Sequence, residues 1–196
     1  MREQPGRVQL RTPLSKASVA ELRAGQVVAL SGVVYTARDA AHQRLAAALA
    51  EGRRLPVDLA GAVIYYCGPA PAPPGRPAGS CGPTTSARMD PYTEAVLEQG
   101  VAATIGKGNR SRAVRQALVR HGAVYLVAVG GAGALLARHV RAARVVAYED
   151  LGPEAIHEFE VEDLPAVVGY DAHGGAVFAG EEPPSARETS TARSER

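Results

Sequence analysis

Val101-Ala102-Ala103-Thr104-Ile105-Gly106-Lys107-Gly108-Asn109-Arg110-Ser111 is the stretch from which the fold of this chain is read. A β-rich apolar run enters a glycine turn, and a helical pattern over residues 112–121 leaves it. The alternation continues outward in both directions. A helix is expected over residues 90–99, a strand over 124–129, a helix over about 132–140 and a strand near 145–148. Such alternation predicts an α/β domain with parallel strand pairings. The turn also has anion-binding geometry, because a helix start presents free backbone N–H groups and the positive end of its dipole. Lys107 adds a charge there. The chain has 22 Lys+Arg residues, yet only Lys16 and Lys107 are lysines. An arginine bias broken between two glycines points to a position that needs a compact ammonium.

A second such element lies upstream, in Ser80-Cys81-Gly82-Pro83-Thr84-Thr85-Ser86-Ala87-Arg88-Met89-Asp90-Pro91. It combines a Gly-Pro turn, the hydroxyls of Thr84 and Thr85, and the Arg88 fork. Asp90-Pro91 reads as an N-cap with proline at the first helical position. Taken alone, the stretch fits either a carboxylate or phosphate site or an ordinary loop with a helix cap. The Pro/Gly loop over residues 68–85 that delivers it exceeds the usual limit of about 12–15 residues, which favours a functional loop.

The remaining elements are read from capping and β-propensity. Residues 8–10 form a short strand. Ser18-Val19-Ala20-Glu21 has capping-box spacing, with Gly25 closing a short helix. A strand covers 27–36, Asp39 caps a helix over 40–50, and 62–67 is a β-rich run. Short strands are expected over 158–164, 166–171 and 176–178, with His173-Gly174-Gly175 as a turn. Residues 1–180 are read as one domain. Residues 181–196, with Pro183-Pro184 and almost no apolar side chains, are read as a disordered tail.

Composition excludes several classes. A formal net charge of +2 with 5% aromatics gives no basic stripe with stacking rings, so no nucleic-acid partner is expected. No apolar run approaches the roughly 20 residues of a membrane span, and no secretory leader is visible, so a cytoplasmic protein without membrane contact is expected. Cys67 and Cys81 are too few for a disulfide framework or a cysteine-held cluster and read as reduced thiols. Lys107 does not sit in a Walker A motif: five residues separate Gly100 from Gly106, and Gly108 follows the lysine. Gly131-Ala132-Gly133 lacks the third glycine of a dinucleotide fingerprint and reads as close helix–strand packing. The five histidines show no metal-ligand spacing, and no metal site is expected on the chain. His42, one turn into the helix that Asp39 opens, is a candidate functional residue.

Three elements now stand in order: Tyr35-Thr36-Ala37-Arg38-Asp39-Ala40-Ala41-His42, Gly82-Pro83-Thr84-Thr85-Ser86-Ala87-Arg88-Met89-Asp90, and Gly106-Lys107-Gly108-Asn109-Arg110-Ser111. Together they resemble the β subunit of two-subunit class I fumarate hydratases and the related L-tartrate dehydratases. In single-chain relatives the same region is the C-terminal domain. The resemblance runs from about Leu10 to Phe178 and includes Ala147-Tyr148-Glu149-Asp150-Leu151-Gly152 and Val161-Glu162-Asp163-Leu164-Pro165-Ala166-Val167-Val168. One departure is Ser86-Ala87, where relatives often carry Ala-Gly.

The resemblance implies a swivelling β/β/α domain with a mixed sheet that supplies half of an active site. It implies an α subunit holding an oxygen-sensitive [4Fe–4S] cluster on three cysteines, in an α2β2 hetero-oligomer. Arg38, Arg88 and Lys107 match substrate-carboxylate contacts, and Thr84 matches a threonine that contacts substrate and moves its C3 proton. Thr85 and His42 are further candidates. Malate and fumarate carry two carboxylates, which suits arginine forks. The alternatives are a tartrate dehydratase β subunit and a stand-alone, non-catalytic anion-binding module.

Overall fold

The computed structural model describes residues 6–178. The tail expected over residues 181–196 lies outside the described residues. Five strands pair in parallel: β1 (Arg7–Arg11) with β2 (Val27–Thr36), β2 with β3 (Val63–Tyr65), β3 with β4 (Ala103–Gly106), and β4 with β5 (Val124–Val127). The long strand β7 (Ile156–Tyr170) then runs antiparallel to β2, to β5 and to the outer strand β6 (Val140–Ala147). Because β7 pairs with both β2 and β5, the ladder β2-β3-β4-β5-β7 returns on itself. The result is the expected mixed α/β architecture, with its mixed sheet closed.

Period-two alternation along β3 to β5 builds two cores at once. Val63, Tyr65, Ala103, Ile105, Val124 and Leu126 point into the closed sheet, against Val28, Leu30, Val34, Phe159 and Val168. Ile64, Tyr66 and Tyr125 point outward, against Ala41, Leu45, Val96, Leu97, Val114 and Leu118 of the helices. Burial on both faces explains why these strands read as continuous apolar runs. The covering helices are α2 (Asp39–Ala50), α3 (Asp90–Glu98) and α4 (Arg112–His121), with α3 packed between the other two. In α4, Ser111 Oγ accepts the Val114 N–H, and Gly122 closes the helix at φ +60°.

Several elements differ from the reading of the sequence. The first helix, α1 (Lys16–Ala20), is capped by Ser15 rather than Ser18 and ends at Glu21. The helix expected over 132–140 is only α5 (Gly133–Leu136) with a 3-10 turn, and β6 begins at Val140. The strands expected over 158–164 and 166–171 are one. β7 carries an extra residue between Val161 and Leu164, where Asp163 takes φ +53° and donates its N–H to Ser31 Oγ at 3.0 Å. A bulge of this kind absorbs the irregularity next to Pro165, which has no N–H to give the ladder. Of the strand expected over 176–178, Ala176 makes a single bridge to Tyr170. No helix of the described residues is long and apolar enough to cross a membrane.

Candidate active site

The carboxyl ends of β2, β3, β4 and β5 lie side by side, and α/β sheets place ligands at such an edge. Arg38 follows β2, Lys107 follows β4, and the loop that leaves β3 returns to the same edge with Thr84. There Thr84 N–H donates to the Tyr66 carbonyl at 2.7 Å, Lys107 N–H to the Thr84 carbonyl at 3.2 Å, and Ser86 N–H to the Lys107 carbonyl at 2.9 Å. Thr85 and Lys107 form a parallel bridge. The two glycine-rich elements are thus one zipped unit. Thr84 is half-buried, whereas Thr85 and Lys107 are exposed.

Close backbone approach makes the zipper possible. A Cβ on Gly106 would strike Ser86 Oγ and lie 2.9 Å from Tyr66 Cδ2. Ser86 Oγ is itself hydrogen-bonded to Tyr125 Oη at 2.8 Å, and that hydroxyl donates to the Gly108 carbonyl at 2.8 Å. Gly133 packs on the Gly82 backbone, with room for no side chain: a Cβ would sit 2.8 Å from the Gly82 nitrogen. Gly133 therefore serves packing of the α5 start on the Gly82 loop rather than helix-on-strand packing.

The other two cations meet through a carboxylate. Arg88 Nε donates to Asp39 Oδ1 at 2.8 Å, and Asp39 Oδ2 lies 3.9 Å from Arg38 Nε. On its far side Arg38 pairs with Glu154, Nη2 to Oε1, at 3.1 Å. Asp39 and Asp90 do not cap their helices as expected. Each is the first helical residue, after Arg38 and Met89 respectively, and each turns its carboxylate to an arginine.

The lysines differ sharply. Lys16 Nζ donates to the His121 carbonyl at the end of α4, at 2.7 Å. Lys107 Nζ has no acidic or hydrogen-bonding partner among the described residues, and its stem passes 3.6 Å from a Cβ built on Gly130.

His42 is wholly buried, with its ring edge-on to Tyr66 at 5.3 Å. Its Nδ1 donates to the Arg38 carbonyl at 2.9 Å. Burial pushes its pKa down to about 4, so the ring is neutral. It stands beneath Arg38, inside the core, rather than on the open edge.

Reading the sequence missed Arg110, which was expected in an anion-binding turn and is fully buried. Its Nε pairs with Asp90 Oδ1 at 2.6 Å, Nη2 donates to Thr93 Oγ1 at 2.5 Å, and Nη1 reaches Tyr66 Oη and Thr104 Oγ1, each at 3.3 Å. Asp90 Oδ2 also accepts the Ser111 N–H at 2.7 Å. This ion pair ties α3 to the turn after Lys107. Thr104, a polar interruption of the apolar run Val101–Ile105, was its visible signal. Elsewhere Glu94, Glu98 and His121 converge, but Arg120 already pairs with Glu94.

Fold and site define a class: a closed-sheet α/β domain with arginine and lysine gathered where its parallel strands end, suited to binding small anions. The family described as Fumarase C-terminus matches residues 1–181, and the chain belongs to it. It is 38% identical over 176 residues to the anaerobic class I fumarate hydratase of Escherichia coli (strain K12), covering 88% of this chain and 32% of that protein. It is 37% identical over 177 residues to fumarate hydratase 2 of Leishmania major, covering 88% and 31%. A putative L(+)-tartrate dehydratase subunit beta of Methanocaldococcus jannaschii is 38% identical over 171 residues, covering 84% of this chain and 88% of that subunit. The chain spans about a third of the length of the fumarate hydratases it matches.

Proposed function

We propose that this chain supplies the carboxylate-binding half of a hydro-lyase site that interconverts fumarate and L-malate, completed by an α subunit in an α2β2 assembly. One observation carries this reading: Arg38, Arg88, Thr84 and Lys107 share one strand-end edge, in a chain that matches a third of the fumarate hydratases and nearly all of a β subunit. A site divided between this domain and a larger partner accounts for both coverages.

The residue types suit the chemistry. Arg38 and Arg88 hold substrate carboxylates with their forks, and Lys107 offers a point charge. Loss of the C3 proton builds extra negative charge on the adjacent carboxylate, as an aci-carboxylate. Fixed cations there stabilise the transition state more than the ground state. Thr84 is assigned the movement of that proton, with the neighbouring cations favouring its ionised hydroxyl. A relay through the partner is the competing route. Thr85 lines the same bridge.

Cys67 and Cys81 are free and buried inside the closed sheet, so this chain's own donors do not fit a cysteine-held cluster. A [4Fe–4S] cluster held by the partner would supply a Lewis acid for the departing hydroxide.

A second reading, L-tartrate dehydratase, is favoured by the tartrate dehydratase β subunit whose length the chain nearly spans. The test is anaerobic assay of the full chain, alone and with its partner after cluster reconstitution, on L-malate and on L-tartrate. Malate turnover only in the assembled protein is expected. Tartrate turnover alone would select the second reading. Substantial turnover by the chain alone would overturn the divided site, and silence of the assembled protein on both substrates would leave an anion-binding module.

A further inference from the structure

Asp39 faces both candidate arginines. Its Oδ1 takes the Nε–H of Arg88 at 2.8 Å, which engages one side of the guanidinium. Among the described residues the two Nη groups of Arg88 meet no acceptor, and the side chain is 51% exposed, so its end-on fork stays open. Toward Arg38 the contact is looser. Asp39 Oδ2 and Arg38 Nε lie 3.9 Å apart, and both are buried without a hydrogen-bond partner.

Glu154 completes the arrangement. Its Oε1 sits 3.1 Å from Arg38 Nη2, and its Oε2 accepts the Ala40 N–H at 3.2 Å. Gly68 closes the remaining side: a Cβ there would lie 3.0 Å from Arg38 Nη1 and 3.1 Å from Cδ. Two guanidiniums placed together repel each other, and a carboxylate between them offsets that repulsion while limiting their rotamers.

We propose that Asp39 is a positioning residue that aims Arg38 and Arg88 at one dicarboxylate, with Glu154 bracing Arg38 from the opposite side. The inference rests on the reading of the two arginines as substrate ligands. Without Asp39 the Arg88 fork would have to be ordered by the substrate itself, and Arg38 would be held by Glu154 and the Gly68 backbone alone. Misplacement of such groups lowers rates by up to about 100-fold.

The test uses the full chain and its assembly with the partner. In Asp39→Ala, kcat/KM should fall of order 10- to 100-fold. Succinate affinity, titrated by arginine-side-chain 1H–15N spectra, should weaken about tenfold through the loss of pre-organisation. The Arg88 Nε–H should lose its protection from solvent exchange. Asp39→Asn keeps an oxygen for that N–H and should recover most of the protection and part of kcat/KM. It also serves if the alanine variant folds poorly.

A melting-temperature drop with unchanged kcat/KM per folded molecule would make Asp39 merely structural. Tighter succinate binding in Asp39→Ala would make it a competitor for Arg88. Either result overturns the proposal, as does persistent Nε–H protection in an Asp39→Ala enzyme whose wild type turns over malate. If the wild type neither binds succinate nor turns over with a partner, while Asp39→Ala still releases the Arg88 N–H, the proposed function fails and the brace itself stands.

Discussion

Gly106→Ala tests whether the zipper between Thr84 and Lys107 makes the site. Gly106 has no positive φ, so alanine is allowed by the backbone and only space is at stake. The new methyl would collide with Ser86 Oγ and approach Tyr66 Cδ2 to 2.9 Å and Ser86 Cβ to 3.2 Å. Neither neighbour yields easily. Ser86 Oγ is held by Tyr125 Oη at 2.8 Å, and Tyr66 is fully buried beside Arg110. Relief therefore requires β4 and the Thr84–Ser86 segment to part by roughly 1 Å, the scale on which van der Waals contact is recovered. That displacement takes the 3.2 Å and 2.9 Å bridge hydrogen bonds beyond useful length.

Overpacking and two lost hydrogen bonds together predict about 3–5 kcal/mol of destabilisation. In a protein of this size that lowers the melting temperature by roughly 10 °C. Urea unfolding of the full chain measures the first quantity, and kcat/KM of the assembled protein measures the second consequence. Activity should fall further than the folded fraction explains, because Thr84 and Lys107 are no longer in register. Ser86→Ala removes the struck oxygen, so the double variant should show favourable coupling of about 1–2 kcal/mol. A Gly106→Ala protein within about 0.5 kcal/mol of wild type, or the absence of coupling, would refute the reasoning.

Arg88→Lys keeps the charge but cannot hold Asp39 and present a fork, so kcat/KM should drop roughly 30- to 1000-fold; a near-normal value in the assembled enzyme would remove Arg88 from the site. Lys107→Ala should change stability by less than about 0.5 kcal/mol, since the side chain is exposed and unpartnered among the described residues, yet cut turnover by about 100-fold. Full activity would leave Lys107 an ordinary surface charge. His42 is neutral in the fold, with its pKa depressed from 6.5 to about 4, so the unfolded chain binds the extra proton between those values. Stability should therefore decline as pH falls from 6.5 toward 4, by up to about 3 kcal/mol from this group. His42→Gln should flatten that limb of the melting-temperature profile, and an unchanged slope would show that other groups cause it.

The parts of the fold that local sequence reveals are those whose burial is regular. Strands β3 to β5 are apolar on both faces and stand between well-marked helices, so their alternation was visible. The continuity of β7 was not, because Asp163 and Pro165 divide its pattern into two shorter strands, and its pairing with β2 and β5 depends on partners far away in the chain. The site divides in the same way. Arg38, Arg88 and Lys107, the proposed substrate ligands, stand in motifs legible by residue type, but Asp39 and Asp90 read as caps and are not. The reason is physical and the same in each case. An aspartate at a helix start stabilises the helix when a free N–H needs an acceptor. At α2 that acceptor arrives from elsewhere: Glu154, 114 residues away, takes the Ala40 N–H. At α3 a 3-10 turn, Ser86–Met89, leads directly into the helix, and Met89 is already in the αR region. Both aspartates are thereby released from local duty, one to Arg88 at the surface and one to Arg110 in the core. Glu154→Gln should then keep the cap, since its amide oxygen still accepts the Ala40 N–H, while giving up the pair with Arg38. Glu154→Ala should weaken the α2 start by about 1 kcal/mol, the usual value of a lost cap, and draw Asp39 back toward the helix N–H groups. Loss of the Arg88 Nε–H protection in Glu154→Ala, but not in Glu154→Gln, would reveal that exchange of partners. Retained protection in both would show that the long-range cap and the arginine pair are independent.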